Sequence, residues 1–334
     1  MKRRWFLTGA VCLLGTPHMA LAQVKVPRIG YLCTRTCGET YKQIPGADPL
    51  PLGLFTQALE ALGYVDGRNI KFEYAAADQS DLEQVRRNVR DLVSRQVNVI
   101  FVTGDTATAL AAREVTPTIP IVIAVSGDPV ASGLVKSLAR PSGNETGVNY
   151  LHEQLAGKSL ELLKATVPPV TRFTVLIDPT DPSHARTFKE LATVAESLGV
   201  FLRPVQARAP TNFQTAFSDM SRDRLGGLVV LAGAHHFIQR SRIAYLAVTH
   251  RVPSVSSFRP FAEVGGLLAY GANARELQGR AAAFVDRILK GARPGDLPIE
   301  QPTTFEFVIN LKTAKALGLA IPSSVLARAD EVIQ

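Results

Sequence analysis

Short apolar runs alternate with helix-period stripes along most of this chain, at a spacing of about thirty residues. Arg28-Ile-Gly-Tyr-Leu32 opens the series as a strand. Leu52 to Leu62 follows as a helix, with Phe55, Leu59 and Leu62 at core spacing and Gly63 as its C-cap. Ile70-Lys-Phe-Glu-Tyr74 alternates as a strand, and Leu82 to Val93 places Leu82, Val85, Val89, Leu92 and Val93 on one helical stripe. Val99-Ile-Phe-Val102 is β-branched and apolar, breaks at Thr103-Gly104-Asp105, and resumes as an Ala/Leu-rich helix to Arg113. Ile119 to Val125 is the next strand, ending in Ser126-Gly-Asp-Pro-Val130. Strand and helix in alternation predict a parallel α/β sheet.

The second half repeats the first. Arg172-Phe-Thr-Val-Leu176 matches the opening strand, and a helix ending Ser197-Leu198-Gly199 matches the one ending Ala61-Leu62-Gly63. Gly227 to Gly233 stands where Val99 to Gly104 stood, and Val252-Pro253 answers Ile119-Pro120. Four matches in one order, about 130–145 residues apart, predict two copies of one unit. Phe201 to Ala207 and Leu267 to Tyr270 add strands to the second copy. Arg275 to Lys290 reads as a helix, Leu297 to Gln301 and Phe305 to Ile309 as extended, and Leu311 to Leu317 as a helix capped by Gly318. The expected fold is α/β: two similar doubly wound parallel-sheet lobes with a ligand cleft between them. Residues 23–148 with 273–300 would form lobe one, and 149–272 with 301–334 lobe two. No Pro/Gly/Ser-rich linker separates them, so extended crossings join the lobes.

Composition changes this picture at the N-terminus. Lys2-Arg3-Arg4, the apolar Trp5 to Gly15 and Ala20-Leu21-Ala22 read as an export signal over 1–22, cleaved after Ala22. The apolar run is too short to span a bilayer. Arg3-Arg4-Trp5-Phe6-Leu7 also resembles the twin-arginine pattern, which leaves the secretory and twin-arginine routes both open. Val11 before Cys12 argues against a lipid anchor. The chain of 334 residues carries a net charge of +8, part of it in that signal. No Lys/Arg cluster interleaved with aromatics accompanies the charge, so nucleic acid is not the expected partner.

Cys33 and Cys37 remain after cleavage. An exported address makes a disulfide plausible. An extended strand would hold their Cα atoms roughly 13 Å apart, against about 4.4–6.8 Å for a bridge, so a bridge demands a turn at Thr34-Arg35-Thr36. A free thiol is the alternative.

Candidate chemistry centres on the turn at Thr103–Thr108. The N–H groups of Thr106, Ala107 and Thr108 open a helix, and the hydroxyls of Thr103, Thr106 and Thr108 add neutral donors, so the turn suits a carboxylate. Asp105 belongs to the same turn. Asp128 or Asp181 would receive an ammonium, although Asp128 reads equally as an N-cap. Tyr31, Tyr150 and Phe258 lie beside predicted strand ends, where they would stack on an apolar ligand or pack the core. Several catalytic patterns fail. Ala156-Gly-Lys-Ser159 lacks the first glycine of a phosphate loop, since His152 holds that position, and no strand is predicted before it. His152-Glu153 has no second histidine at Ala156, and His235-His236 has no third metal ligand nearby. No cofactor, metal or catalytic group is expected.

Longer stretches carry a family likeness: Leu62-Gly-Tyr-Val-Asp-Gly-Arg-Asn69, Thr118-Ile-Pro-Ile-Val122, Gly127-Asp-Pro-Val-Ala-Ser-Gly133 and Leu138-Ala-Arg-Pro-Ser-Gly-Asn144. Glu263-Val-Gly-Gly-Leu-Leu-Ala-Tyr-Gly271, Pro298-Ile-Glu-Gln-Pro-Thr303 and Phe305 to Leu319 complete the set. Together they resemble the ABC-transporter substrate-binding proteins that include the tryptophan-type binding proteins. The resemblance implies a type I periplasmic-binding fold with three crossings and closure on an amino acid or similar small organic acid. It implies a monomer in the periplasm, partnered with an ABC permease of the inner membrane. Ligand contacts would come from the loop after the first strand, Thr103–Thr108, Ser126–Asp128, Asp178–Asp181 and the loop near His235. A periplasmic sensor and an extracytoplasmic α/β enzyme are the alternatives from other classes.

Overall fold

The computed structural model describes residues 26–34, 53–77, 81–125, 127–208, 210–222 and 226–334. The first unit runs β1 (Arg28–Thr34), α1 (Gly53–Ala61), β2 (Lys71–Ala77), α2 (Leu82–Ser94), β3 (Val99–Gly104), α3 (Thr106–Val115), β4 (Ile121–Val125) and β5 (Glu145–Asn149). The second runs α4 (His152–Thr166), β6 (Arg172–Ile177), α5 (Pro182–Ser197), β7 (Phe201–Gln206), α6 (Pro210–Arg222) and β8 (Gly227–Val230). It continues through α7 (Ala234–Ile238), α8 (Arg240–Thr249), β9 (Ser254–Ser256), α9 (Arg259–Glu263) and β10 (Leu268–Ala272). The chain then returns to the first unit with α10 (Ala274–Leu289) and β11 (Ile299–Glu300). It ends in the second with β12 (Phe305–Asn310), α11 (Leu311–Leu317), α12 (Ser323–Leu326) and β13 (Glu331–Ile333).

The sheets are ordered β11-β5-β4-β3-β1-β2 and β13-β12-β10-β9-β8-β6-β7. Within each, the first five strands of the unit follow the same order, the topological form of the sequence repeat. In both, the first strand lies between its second and third, which creates a switch point at the carboxyl ends. All strand pairings are parallel except β10 with β12, which run antiparallel after the chain has passed through α10 and β11 of the other unit.

Strand β3 shows how the apolar pattern makes the layers. Val99 and Phe101 face α1 and α10, while Ile100 and Val102 face α2 and α3, and all four are fully buried. A strand covered on both faces needs this continuous apolar run. Strand β5 reaches the same burial with the sequence Glu-Thr-Gly-Val-Asn. It precedes Ala156-Gly-Lys-Ser159, contrary to the expectation of no strand there; the pairing of β5 with β4 and β11, not its side chains, makes it one. The phosphate loop still fails for want of a glycine at His152. Among the described residues, no helix is long and apolar enough to cross a membrane.

Candidate functional site

The carboxyl ends of β1, β3, β4, β8, β9 and β10 open on a cleft of about 630 Å³ between the two sheets. Tyr31, Cys33, Thr103 and Gly104 line it from the first unit. Gly233, Phe237, Ser257 and Phe258 line it from the second, while Tyr150 lies between β5 and α4, and Asn273 and Arg275 at the start of α10. Tyr31 is buried against an aromatic cluster: its ring meets Phe101 edge-on at 5.0 Å, and Phe101 stacks on Phe55 at 3.7 Å. Burial holds the Tyr31 hydroxyl far above its usual pKa, so it meets the cleft as a neutral group.

The first crossing sets the opposite wall. Leu151 takes a left-handed conformation (φ 56°, ψ 24°), rare for a branched side chain, and so turns the chain from β5 into α4. Asn149 Oδ1 accepts the Leu151 N–H at 3.0 Å and helps to hold that turn. The rings of Tyr150 and His152 then lie parallel, with centroids 5.3 Å apart, and His152 meets Phe258 edge-on at 6.1 Å. Gln278 of α10 donates to the Tyr150 oxygen at 2.6 Å. Burial pulls the His152 pKa down to about 4, leaving a neutral ring at pH 7. Its Nδ1 and the Oε1 of Gln278 are buried without hydrogen-bond partners among the described residues.

Five residues singled out from the sequence line the cleft: Tyr31, Cys33, Thr103, Tyr150 and Phe258. The expected carboxylate cradle is differently arranged. Asp105 caps α3 by accepting the Thr108 N–H at 2.7 Å, so that amide is spent within the chain. Neither Asp105, Thr106 nor Thr108 is among the cleft-lining residues. Thr106 instead faces the second unit: a Cβ placed on Gly127 would meet Thr106 Oγ1 at 2.9 Å and Glu153 Oε1 at 3.1 Å. This corner is a seam between the lobes.

The acids expected to face an ammonium are also committed elsewhere. Asp128 accepts the N–H groups of Val130 and Ala131 at 2.8 and 3.0 Å, which makes it the cap of a turn. Asp178 takes the N–H and hydroxyl of Thr180, and Asp181 caps α5 through Ser183. His235 is buried on α7 with Nε2 against the Arg208 carbonyl. None of these four lines the cleft. Ser126 and Cys37 lie outside the described residues. Cys33 is disulfide-bonded.

Asp105 carries a further consequence of the seam. Burial, with the Asp181 charge as a smaller contribution, pushes its pKa up to about 6 against the hydrogen bond from Thr108. A carboxyl raised from 3.8 stabilises the fold relatively below pH 4 and loses that contribution as pH rises through about 6. Asp105→Asn keeps an oxygen for the Thr108 N–H and removes the charge. Relative to wild type it should gain up to about 3 kcal/mol between pH 4 and pH 7.5, whereas Asp105→Ala should lose the cap, about 1 kcal/mol. Urea melts at both pH values measure this; an Asn variant whose advantage does not grow with pH refutes it.

Sequence reasoning missed His152, Gln278, Asn273 and Arg275. Asn273 is an N-cap directly after a strand, its Oδ1 accepting the Glu276 N–H at 2.8 Å, and it marks the helix start that points at the cleft. His152 was visible only as part of two failed motifs, the phosphate loop and the zinc helix.

The family model described as ABC transporter substrate binding protein matches residues 47–333. The chain belongs to that family. This substrate-binding protein is 28% identical over 279 residues to a tyrosine-binding protein of Clostridioides difficile, a match that covers 82% of this chain and 78% of the relative. A Streptococcus pneumonia ABC domain in complex with L-Trp superposes with a TM-score of 0.78 at 25% identity, covering 92% of this chain and 99% of that one. A conserved domain protein of Vibrio cholerae matches at 0.78 and 26%, covering 92% and 100%. The shared fold is two α/β lobes about a cleft, as in type I periplasmic-binding proteins.

Proposed function

We propose that this substrate-binding protein serves an ABC importer, taking an amino acid with an aromatic side chain into the interlobe cleft and presenting it to an inner-membrane permease. The observation that carries the reading is the aromatic lining of the cleft, where Tyr31, Tyr150, His152, Phe237 and Phe258 converge around a volume suited to one small molecule. Flat rings favour a flat apolar side chain. The ligands named for the relatives, tyrosine and L-Trp, are of that kind. The N-terminal pattern over 1–22 supports export to the periplasm as a cleaved protein, and the proposed role is that of a monomer that releases its ligand unchanged. Cys33–Cys37 is the proposed disulfide, and residues 149–151, 272–274 and 301–304 the proposed crossings of the two lobes.

A thermal-shift screen of exported protein over amino acids, organic acids and sugars tests this. L-Tryptophan, L-tyrosine or L-phenylalanine at a hundred times its dissociation constant should add about 2.7 kcal/mol of apparent stability, a melting rise of a few degrees. Intact mass should place the first residue at Gln23. Stabilisation by sugars with none by amino acids would defeat the ligand assignment.

A further inference from the structure

Four charged side chains line the described part of the cleft: Arg259, Glu263, Arg275 and Glu306. Three of them satisfy one another. Arg259 bonds Glu263 at 2.7 Å and reaches Glu331 at 2.7 Å, and Glu306 accepts from Asn273 while lying 3.9 Å from Arg259. Arg275 is exposed to the cleft and has no ion pair or hydrogen bond among the described residues. It also sits in the first turn of α10, where a cation opposes the helix dipole. An anion beside it would be favoured by both the guanidinium and the helix end.

One turn further along the same face stands Gln278. Its amide nitrogen is committed to Tyr150, and its buried Oε1 has no donor among the described residues. A neutral acceptor one helical turn from a cation that has no partner among the described residues suits the head of an α-amino acid, whose two charges hang from one carbon. The carboxylates placed elsewhere offer no competing arrangement, since Asp105, Asp128, Asp178 and Asp181 each hold N–H groups of their own chain outside the cleft.

We infer that Arg275 anchors the ligand's carboxylate, and that the ammonium is met by Gln278 Oε1 and the aromatic faces of Tyr150 and Phe258 instead of by a carboxylate. This rests on the reading of the cleft as an amino-acid site. A cation–aromatic contact and one neutral acceptor hold an ammonium less firmly than a guanidinium holds a carboxylate. The carboxylate is therefore the group the site requires, and the ammonium the one it tolerates losing.

Calorimetry on the mature chain with L-tryptophan, tryptamine and indole-3-propionate separates the two groups. Wild type should bind indole-3-propionate within about tenfold of L-tryptophan, and tryptamine roughly 50-fold more weakly. Arg275→Gln should weaken L-tryptophan about 10–100-fold while leaving tryptamine nearly unchanged, and Arg275→Lys should fall between, since it keeps the charge and loses the fork. The unliganded melting point should not move, because the side chain is exposed and unpaired. Wild-type affinity for L-tryptophan in Arg275→Gln, or tryptamine bound as tightly as L-tryptophan, overturns the anchor and leaves the amino-acid reading standing. Wild-type protein that binds neither L-tryptophan nor L-tyrosine overturns both.

Discussion

Gly147→Ala should cost the first lobe about 3–5 kcal/mol, from backbone strain and overpacking together. Gly147 has φ +138°, a region that residues with a Cβ rarely adopt. A Cβ built there would lie 2.1 Å from the Ile123 carbonyl oxygen and 2.5 Å from its nitrogen. Neither neighbour is a side chain that can swing away. Gly147 pairs with Ile123 of β4 on one side and Ile299 of β11 on the other, so any retreat breaks one ladder or the other. The damage would spread to Asn149, whose side chain holds the Leu151 turn and with it the ring of Tyr150. Urea unfolding, with amide exchange read on β4 and β5, measures the loss. A wild-type midpoint for Gly147→Ala would show that the sheet has slack which the close approach denies.

Phe101→Ala should cost about as much, roughly 3–5 kcal/mol, for a different reason. The side chain is fully buried on a central strand, stacked on Phe55 and edge-on to Tyr31. Removing it leaves a cavity whose walls are held by β1, β4, α1 and α10 and cannot all collapse. Because Tyr31 lines the cleft, the variant should also bind aromatic ligands more weakly, while Phe101→Leu should restore most of the stability and only part of the binding. Denaturant melts and calorimetry separate the two effects. Unchanged stability in Phe101→Ala would mean that the cluster repacks freely.

Most strands and the longer helices were legible because burial on both faces leaves an unmistakable apolar run, as in Ile121–Val125, and because Gly63, Gly199 and Gly318 mark helix ends. Strand β5 was not, since only Val148 and two small residues of its five suggest burial; pairing partners far along the chain make it a strand. The direction of β12 was equally invisible, for an extended segment says nothing of its neighbours. At the site, aromatic residues at strand ends could be found by position alone. The roles of the acids could not: Asp105, Asp128 and Asp181 look alike as caps and as ligand contacts until the amides they hold are seen. Arg275 was hidden by the opposite ambiguity, an ordinary charged residue on an amphipathic helix whose first turn happens to face the cleft.

The return of the chain to its first sheet through α10 and β11 has a bearing on the order in which the molecule is made. When a ribosome has delivered everything through β10, α1 and the Phe55–Phe101 stack still lack the helix that covers them, because Leu277, Ala281, Phe284 and Val285 have not yet been translated. The strand β10 likewise has an open edge until Phe305–Asn310 arrives. Neither lobe is therefore a domain that finishes early and waits for the other. Both close only once residues 274–310 have been made, and until then an aromatic face stays bare. Truncation between residues 273 and 300 should therefore leave two unfinished lobes in place of one sound one.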